Sequence, residues 1–229
     1  MAIAARKPLT RAGGAIVYPE SDNKPIADNT LQFEWIATLK GGLDALFADD
    51  PNVFVAGDLL WYPVEGDNKT RIAPDALVAF GRPKGHRGSY LQWQEDDIAP
   101  QVVFEVLSPG NRAGEMSRKL AFYDRYDVEE YYAYDPYSGN LSGWRRAAPD
   151  DALRTIAPMN GHISPRLGIR FDTSGREMVV YRPDGQRFLT YVELSEARER
   201  AEHEREQARE RAERLAARLR ELGIDPDAL

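Results

Sequence analysis

Between Gln101 and Ser108 the chain runs Val-Val-Phe-Glu-Val-Leu. A run this short and this apolar predicts a strand covered on both faces, and therefore a sheet with packed layers above and below it. Successive side chains of a strand point to opposite faces. Val102, Phe104 and Val106 then share one face, and Val103, Glu105 and Leu107 the other. Glu105 becomes an acid inside a closed core. A carboxylate buried alone is costly, so it calls for a cation, a metal or a set of donors close by.

The flanking sequence supplies the layers. Asp28 or Asn29 can cap a helix starting near Thr30, with Leu31, Trp35, Leu39, Leu43, Leu46 and Phe47 at roughly helical spacing and Gly41-Gly42 as a break. The period then changes. Val53–Tyr62 and Ile72–Phe80 predict two strands, joined by a turn-rich loop, and residues 81–98 a long polar connection. After Ser108-Pro109-Gly110, Asn111 or Gly114 leads into a helix reaching about Tyr126. Glu130–Tyr134 and Leu141–Arg146 predict further strands, and residues 152–171 short ones. The expected class is α/β, a mixed sheet with helices packed on it. Residues 1–28, with five Pro or Gly among polar residues, read as an arm, residues 29–190 as one domain, and residues 191–229 as a tail.

From Glu193 to Leu222 the composition turns to Glu, Arg and Ala with no Gly or Pro. This predicts a long solvated helix with pairs such as Glu196–Arg200 and Glu210–Arg214. Leu194, Ala201, Ala208, Leu215 and Leu222 recur every seventh residue, a coiled-coil spacing, although Glu204, Arg211 and Arg218 fill the companion positions. A homodimer through this helix is expected on that ground.

The net charge of −7 does not fit a protein held on nucleic acid by bulk electrostatics, so any such contact needs a local basic patch or metal ions. The absence of cysteine excludes disulfides and thiolate metal sites. No apolar run follows Arg6 and Lys7 as in a secretory signal, and none approaches membrane-spanning length. A cytoplasmic protein with no membrane contact is the expectation.

Asp75 is a second acid in an apolar segment, on the same face as Leu77 and Ala79. Two adjacent strands with one inward acid each can bring both carboxylates to one hard cation, and Mg²⁺ is typically held by one or two carboxylates. On the helix that follows, Met116, Leu120 and Tyr123 form an apolar stripe with Lys119 at its edge, while Arg118 points away. Two readings stand on these residues. In one, Asp75 caps a turn and Glu105 and Lys119 form a buried ion pair. In the other, the two acids bind a metal and the lysine orients water or offsets charge in a transition state.

Pro74-Asp75, then Phe104-Glu105-Val106-Leu107-Ser108-Pro109, then Lys119 and Tyr123, then Glu130-Tyr131-Tyr132 with Asp135-Pro136, resemble in order and spacing the Uma-type family of restriction endonuclease-like proteins. That family belongs to the PD-(D/E)XK nuclease superfamily. The likeness covers about residues 25–185, and the tail ending in Leu222-Gly223-Ile224-Asp225-Pro226 is also similar to those of many members. The resemblance implies Mg²⁺-dependent phosphodiester cleavage, with Mn²⁺ as a substitute and DNA as substrate. It implies Asp75 and Glu105 as metal ligands, the Val106 carbonyl as a third, and Asp75, Glu105 and Lys119 as the catalytic set. The superfamily pattern has a lysine two residues after the acid. Here Leu107 stands there, and Lys119 on the next helix supplies the cation. The alternative is an inactive nuclease-fold module that binds nucleic acid or assembles through its C-terminal helix.

Other residues carry weaker signals. Glu34 and Asp58 are further acids near the same elements. Tyr123 reads as core with a satisfied hydroxyl rather than as a catalytic group. Ser108 lacks a nucleophile-elbow setting. His86, His162 and His203 read as isolated and exposed. Lys84, Arg87, Tyr90 and Trp93 read either as a solvated loop or as a nucleic-acid contact.

Overall fold

The computed structural model describes residues 16–22, 25–110 and 113–221. The chain divides into two compact units, Met1–Phe188 and Leu189–Leu229. Asn111 and the segment 222–226 lie outside the described residues.

In the first unit, helix α1 (Thr30–Leu46) is capped by Asn29, whose Oδ1 accepts the Gln32 amide at 3.0 Å. It is continuous through Gly41 and Gly42, where a break was expected. A Cβ on Gly42 would sit 2.2 Å from the Phe188 ring, so this glycine admits an aromatic side chain and ends nothing.

Six strands form a mixed sheet in the order β1-β3-β5-β6-β7-β8: Val53–Ala56, Ala76–Phe80, Val102–Val106, Glu130–Asp135, Asn140–Arg145 and Arg154–Thr155. Strands β5 and β6 are parallel and joined through helix α2 (Ala113–Arg125); the other neighbours are antiparallel. A two-stranded antiparallel ribbon, β9 (Arg170–Asp172) with β10 (Val179–Tyr181), follows. All five residues of β5 are buried, as its apolar run requires.

Two expected strands are shorter than their apolar patterns. Val53–Tyr62 is cut by Asp58, whose φ of 49° turns the chain. Trp61–Tyr62 (β2) then pairs in parallel with Tyr90–Leu91 (β4) in a separate ribbon. Ile72–Phe80 becomes a strand only from Ala76, because Pro74 has no amide to give a ladder and its carbonyl accepts the Asp58 amide at 3.1 Å.

The sheet separates two cores. On one face Val78, Val102, Phe104 and Tyr132 pack with Ile36, Leu39 and Leu43 of α1 and with Phe171 and Val180. On the other, Leu77, Val103, Tyr131 and Ala133 pack with Met116, Leu120 and Tyr123 of α2.

The 81–98 connection is more built than a solvated loop. Tyr90 is buried and its hydroxyl donates to the Ile98 carbonyl. Arg87 pairs with Glu95 and lies 3.9 Å over the Phe54 ring. Lys84 donates to the carbonyls of Phe47 and Val53, and Trp93 packs on Tyr18. These four side chains are committed within the fold and are not left free for nucleic acid.

In the second unit, helix α3 (Tyr191–Glu221) starts with a capping box: the Glu193 amide donates to Thr190 Oγ1 and the Thr190 amide to Glu193 Oε2. No residue of α3 is buried. Its ion pairs include Arg209 with Glu206 and Glu213, and Arg218 with Glu221. Arg200 instead bonds the Glu196 carbonyl, and Glu210–Arg214 does not pair. No helix of the described residues is long and apolar enough to cross a membrane.

Candidate active site

The site arises where the β3–β5 ladder stops. Ala76 is the last residue of β3 to pair, opposite Phe104, so one further step of the antiparallel register sets Asp75 across from Glu105. With the Pro74 carbonyl turned to Asp58, the Val106 amide has lost its ladder partner. The Asp75 side chain takes its place, Oδ2 accepting that amide at 2.6 Å. Asp75 thus lies in a bend at the strand's entrance, outside the strand proper.

Glu105 is 1% exposed, and its charge acts on the Asp75 carboxyl set across from it. Its Oε1 accepts from the Tyr123 hydroxyl, and its Oε2 from Lys119 Nζ at 2.7 Å. Both donors come from α2, at the positions its sheet-facing stripe assigns them. Tyr123 is core with a satisfied hydroxyl, as read. The Tyr131 hydroxyl, on the same side of the sheet, is buried and has no hydrogen-bond partner among the described residues.

Electrostatics set Asp75 apart. Burial, then the Glu105 charge, push its carboxyl up to about 8, against the Val106 amide and Lys119, which pull it down. Burial opposes the Lys119 ammonium, but Glu105 chiefly, and Asp75 and Glu115 after it, hold its pKa above the ordinary lysine value. One lysine thus stands against two carboxyls.

The Asp75 and Lys119 side chains open into a cleft of about 480 Å³, whose walls include Asp28, Gln32, Asp58, Lys69, Arg71 and Glu115. Asp58 is exposed at this cleft, its carboxyl raised by burial first and then by the charges of Asp22 and Glu105. Glu34 is exposed on α1 and is not among the lining residues. The residue α1 does contribute is Gln32. Its Nε2 donates to the Val106 carbonyl at 2.8 Å, and its Oε1 accepts the Asp28 amide at 2.8 Å. Gln32 was not foreseen, since its partner lies far along the chain. Ser108 is buried and donates to Asp28 Oδ2 at 2.6 Å, a structural tie between strand end and arm.

The donor set suits a hard divalent cation: two adjoining carboxyls and one backbone carbonyl, all oxygen. No group of three or more His, Cys, Asp or Glu among the described residues forms a fuller cage. His162, expected to be exposed, is half-buried instead. It stacks on Phe171 and lies 3.3 Å from the Tyr132 hydroxyl on the opposite sheet face.

No curated protein matches this chain. Among solved structures it is similar to a putative nuclease belonging to DUF820 from Anabaena variabilis, at 14% identity and a TM-score of 0.44, over 60% of this chain and 72% of that one. The family model described as "Uma2: Putative restriction endonuclease" matches residues 29–167, a span that holds Gln32, Asp75, Glu105 and Lys119. That match takes in more than half of the chain, which therefore belongs to the Uma2 family of putative restriction endonucleases.

Proposed function

We propose that the protein is a Mg²⁺-dependent endonuclease that hydrolyses phosphodiester bonds in DNA, with Asp75, Glu105 and Lys119 as its catalytic set. The observation that carries this reading is the meeting of Asp75 with Glu105 at a cleft, where burial first and then the Glu105 charge push the Asp75 carboxyl up to about 8. A site with that surplus of negative charge takes up either a proton or a cation. Asp75, Glu105 and the Val106 carbonyl would hold Mg²⁺, with Mn²⁺ as a substitute. Bound there, the ion supplies charge stabilisation at the phosphate and acidifies water. Lys119 orients the attacking water by hydrogen bonding and offsets charge that builds on the phosphate. Tyr123 fixes the Glu105 carboxylate, and Gln32 fixes the Val106 carbonyl. The lysine that the superfamily pattern puts at position 107 is replaced in this role by one reaching back from α2.

A second reading has its own support. Both Glu105 oxygens already hold a donor, so the cluster closes on itself as an ion network. The chain is then an inactive nuclease-fold module that binds nucleic acid or assembles through α3, which exposes Leu194 and Leu215. Digestion assays separate the two. Under the first reading Asp75→Asn and Glu105→Gln stay folded and lose Mg²⁺-dependent cleavage. Wild-type cutting by either variant, or none by the wild type, supports the module.

A further inference from the structure

Five acids, Asp22, Asp28, Asp58, Asp75 and Glu115, line the cleft, a poor surface for a polyanion. Three cations interrupt them: Lys119, Lys69 and Arg71. Lys119 is committed to Glu105. Among the described residues neither Lys69 nor Arg71 has an ion-pair partner, although Lys40, Arg82, Arg87, Arg146 and Arg166 all do.

Both sit on a loop whose shape is fixed. Asp67 accepts the amides of Lys69 and Thr70 and the Thr70 hydroxyl, which folds residues 67–70 into a tight turn. The N-terminal arm clamps the loop from outside. The Gly66 amide donates to the Tyr18 hydroxyl at 2.7 Å, and Asn68 Nδ2 to the Val17 carbonyl at 2.8 Å. Among the described residues Arg71 hydrogen-bonds through one nitrogen, and its guanidinium lies 5.8 Å from the centre of the Tyr62 ring. Its Nη1 donates to the Asn68 carbonyl at 3.0 Å and to the Tyr62 hydroxyl at 3.3 Å, and Tyr62 donates in turn to the Pro19 carbonyl. Among the described residues Nε and Nη2 have no acceptor, which leaves their donors for another partner.

A guanidinium anchored by one edge, beside an exposed ammonium on a braced loop, is the donor arrangement that grips phosphate oxygens. We infer that Lys69 and Arg71 form a backbone-binding wall of the cleft, holding the phosphodiester that neighbours the one placed at Asp75 and Glu105. The inference rests on the nuclease reading for the identity of the ligand, a polynucleotide strand, and adds to it a substrate-binding pair that the metal ligands do not provide. Such contacts position a strand and carry no sequence information.

The test uses the full chain and a labelled DNA oligonucleotide, with Ca²⁺ in place of Mg²⁺, over about 50 to 200 mM salt. Lys69→Gln is expected to weaken binding about tenfold and to lower the log–log salt slope by about 1. Arg71→Gln should do the same, and Arg71→Lys should recover part of the loss. In Mg²⁺ the Lys69→Gln effect should fall on KM with kcat held. Lys69 is exposed, so its variant should melt with the wild type. Unchanged affinity and slope in both glutamine variants overturn the inference. If the wild type binds DNA through Lys69 but never cuts it, the catalytic reading fails and the binding wall stands. If the wild type cuts and Lys69→Gln cuts at the same KM, the wall fails and the catalytic reading stands. A wild type that binds no oligonucleotide overturns both.

Discussion

Glu105 and Glu130 lie in neighbouring strands, each 1% exposed, on opposite faces of one sheet. Their surroundings differ in kind. Glu130 receives the Tyr132 hydroxyl at 2.9 Å, the Ser164 hydroxyl, and the Arg166 amide at 2.9 Å. Its oxygens are filled by neutral donors, and among the described residues no carboxyl is bonded to it. It pegs the 164–167 turn to the sheet. Glu105 instead faces a second carboxyl, at a cleft, with Lys119 as the only cation bonded to it among the described residues. Burial of an acid is therefore no mark of a functional site by itself. The mark is charge left uncompensated after the local donors are counted.

The strongest way to break this contrast is to neutralise each acid in turn. Asp75→Asn and Glu105→Gln should lower Mg²⁺-dependent cleavage on the order of 10³-fold, while Glu130→Gln should stay within a few-fold of wild type. Plasmid nicking under single-turnover conditions reads all three. Comparable losses in all three variants would erase the distinction.

Stability should show the reverse order. Glu130→Ala strips the acceptor from two hydroxyls and an amide in a closed core, and should cost about 3 kcal/mol in urea unfolding. Asp75→Asn should cost nothing. It removes a like-charge contact and should stabilise the metal-free chain by about 1 kcal/mol above pH 8.

The pH dependence sharpens the same point. Asp75, at about 8, lies above its unfolded value, so its contribution to stability is complete below about pH 4 and is lost as pH rises through 8. The urea midpoint of the metal-free wild type should decline over that window. Asp75→Asn should flatten the decline, and Glu130→Gln should leave it in place.

Much of this was legible in local pattern. Alternation along Val102–Leu107 placed Glu105 on one face, and the helical period placed Lys119 and Tyr123 against it. Both rules act over a few residues, and the structure keeps both. What failed depended on distant partners. Gly42 looked like a helix break because the sequence does not show Phe188 arriving against it. The sequence pattern carries Asp75 inside a strand because nothing local reveals that Asp58 takes the Pro74 carbonyl. Gln32 gave no signal, since a glutamine in a first helical turn is ordinarily solvated. The cluster of Lys84, Arg87, Tyr90 and Trp93 has the composition of a binding loop, yet the Val53 carbonyl, Glu95, the Ile98 carbonyl and Tyr18 absorb its four side chains in turn. The Glu130 peg was invisible for the same reason, its donors coming from Ser164 and Arg166.

On the proposed reading Asp75 and Glu105 together present one divalent site, kept off balance by their own charge. Calorimetric titration of the wild type and Asp75→Asn with Mn²⁺, in two buffers of different ionisation heat, tests it directly. One saturable ion per chain is expected in the wild type, with proton release at pH 7 that fades above pH 8, and no saturable binding in the variant. Equal binding by both proteins, or uptake without proton release at pH 7, would contradict it.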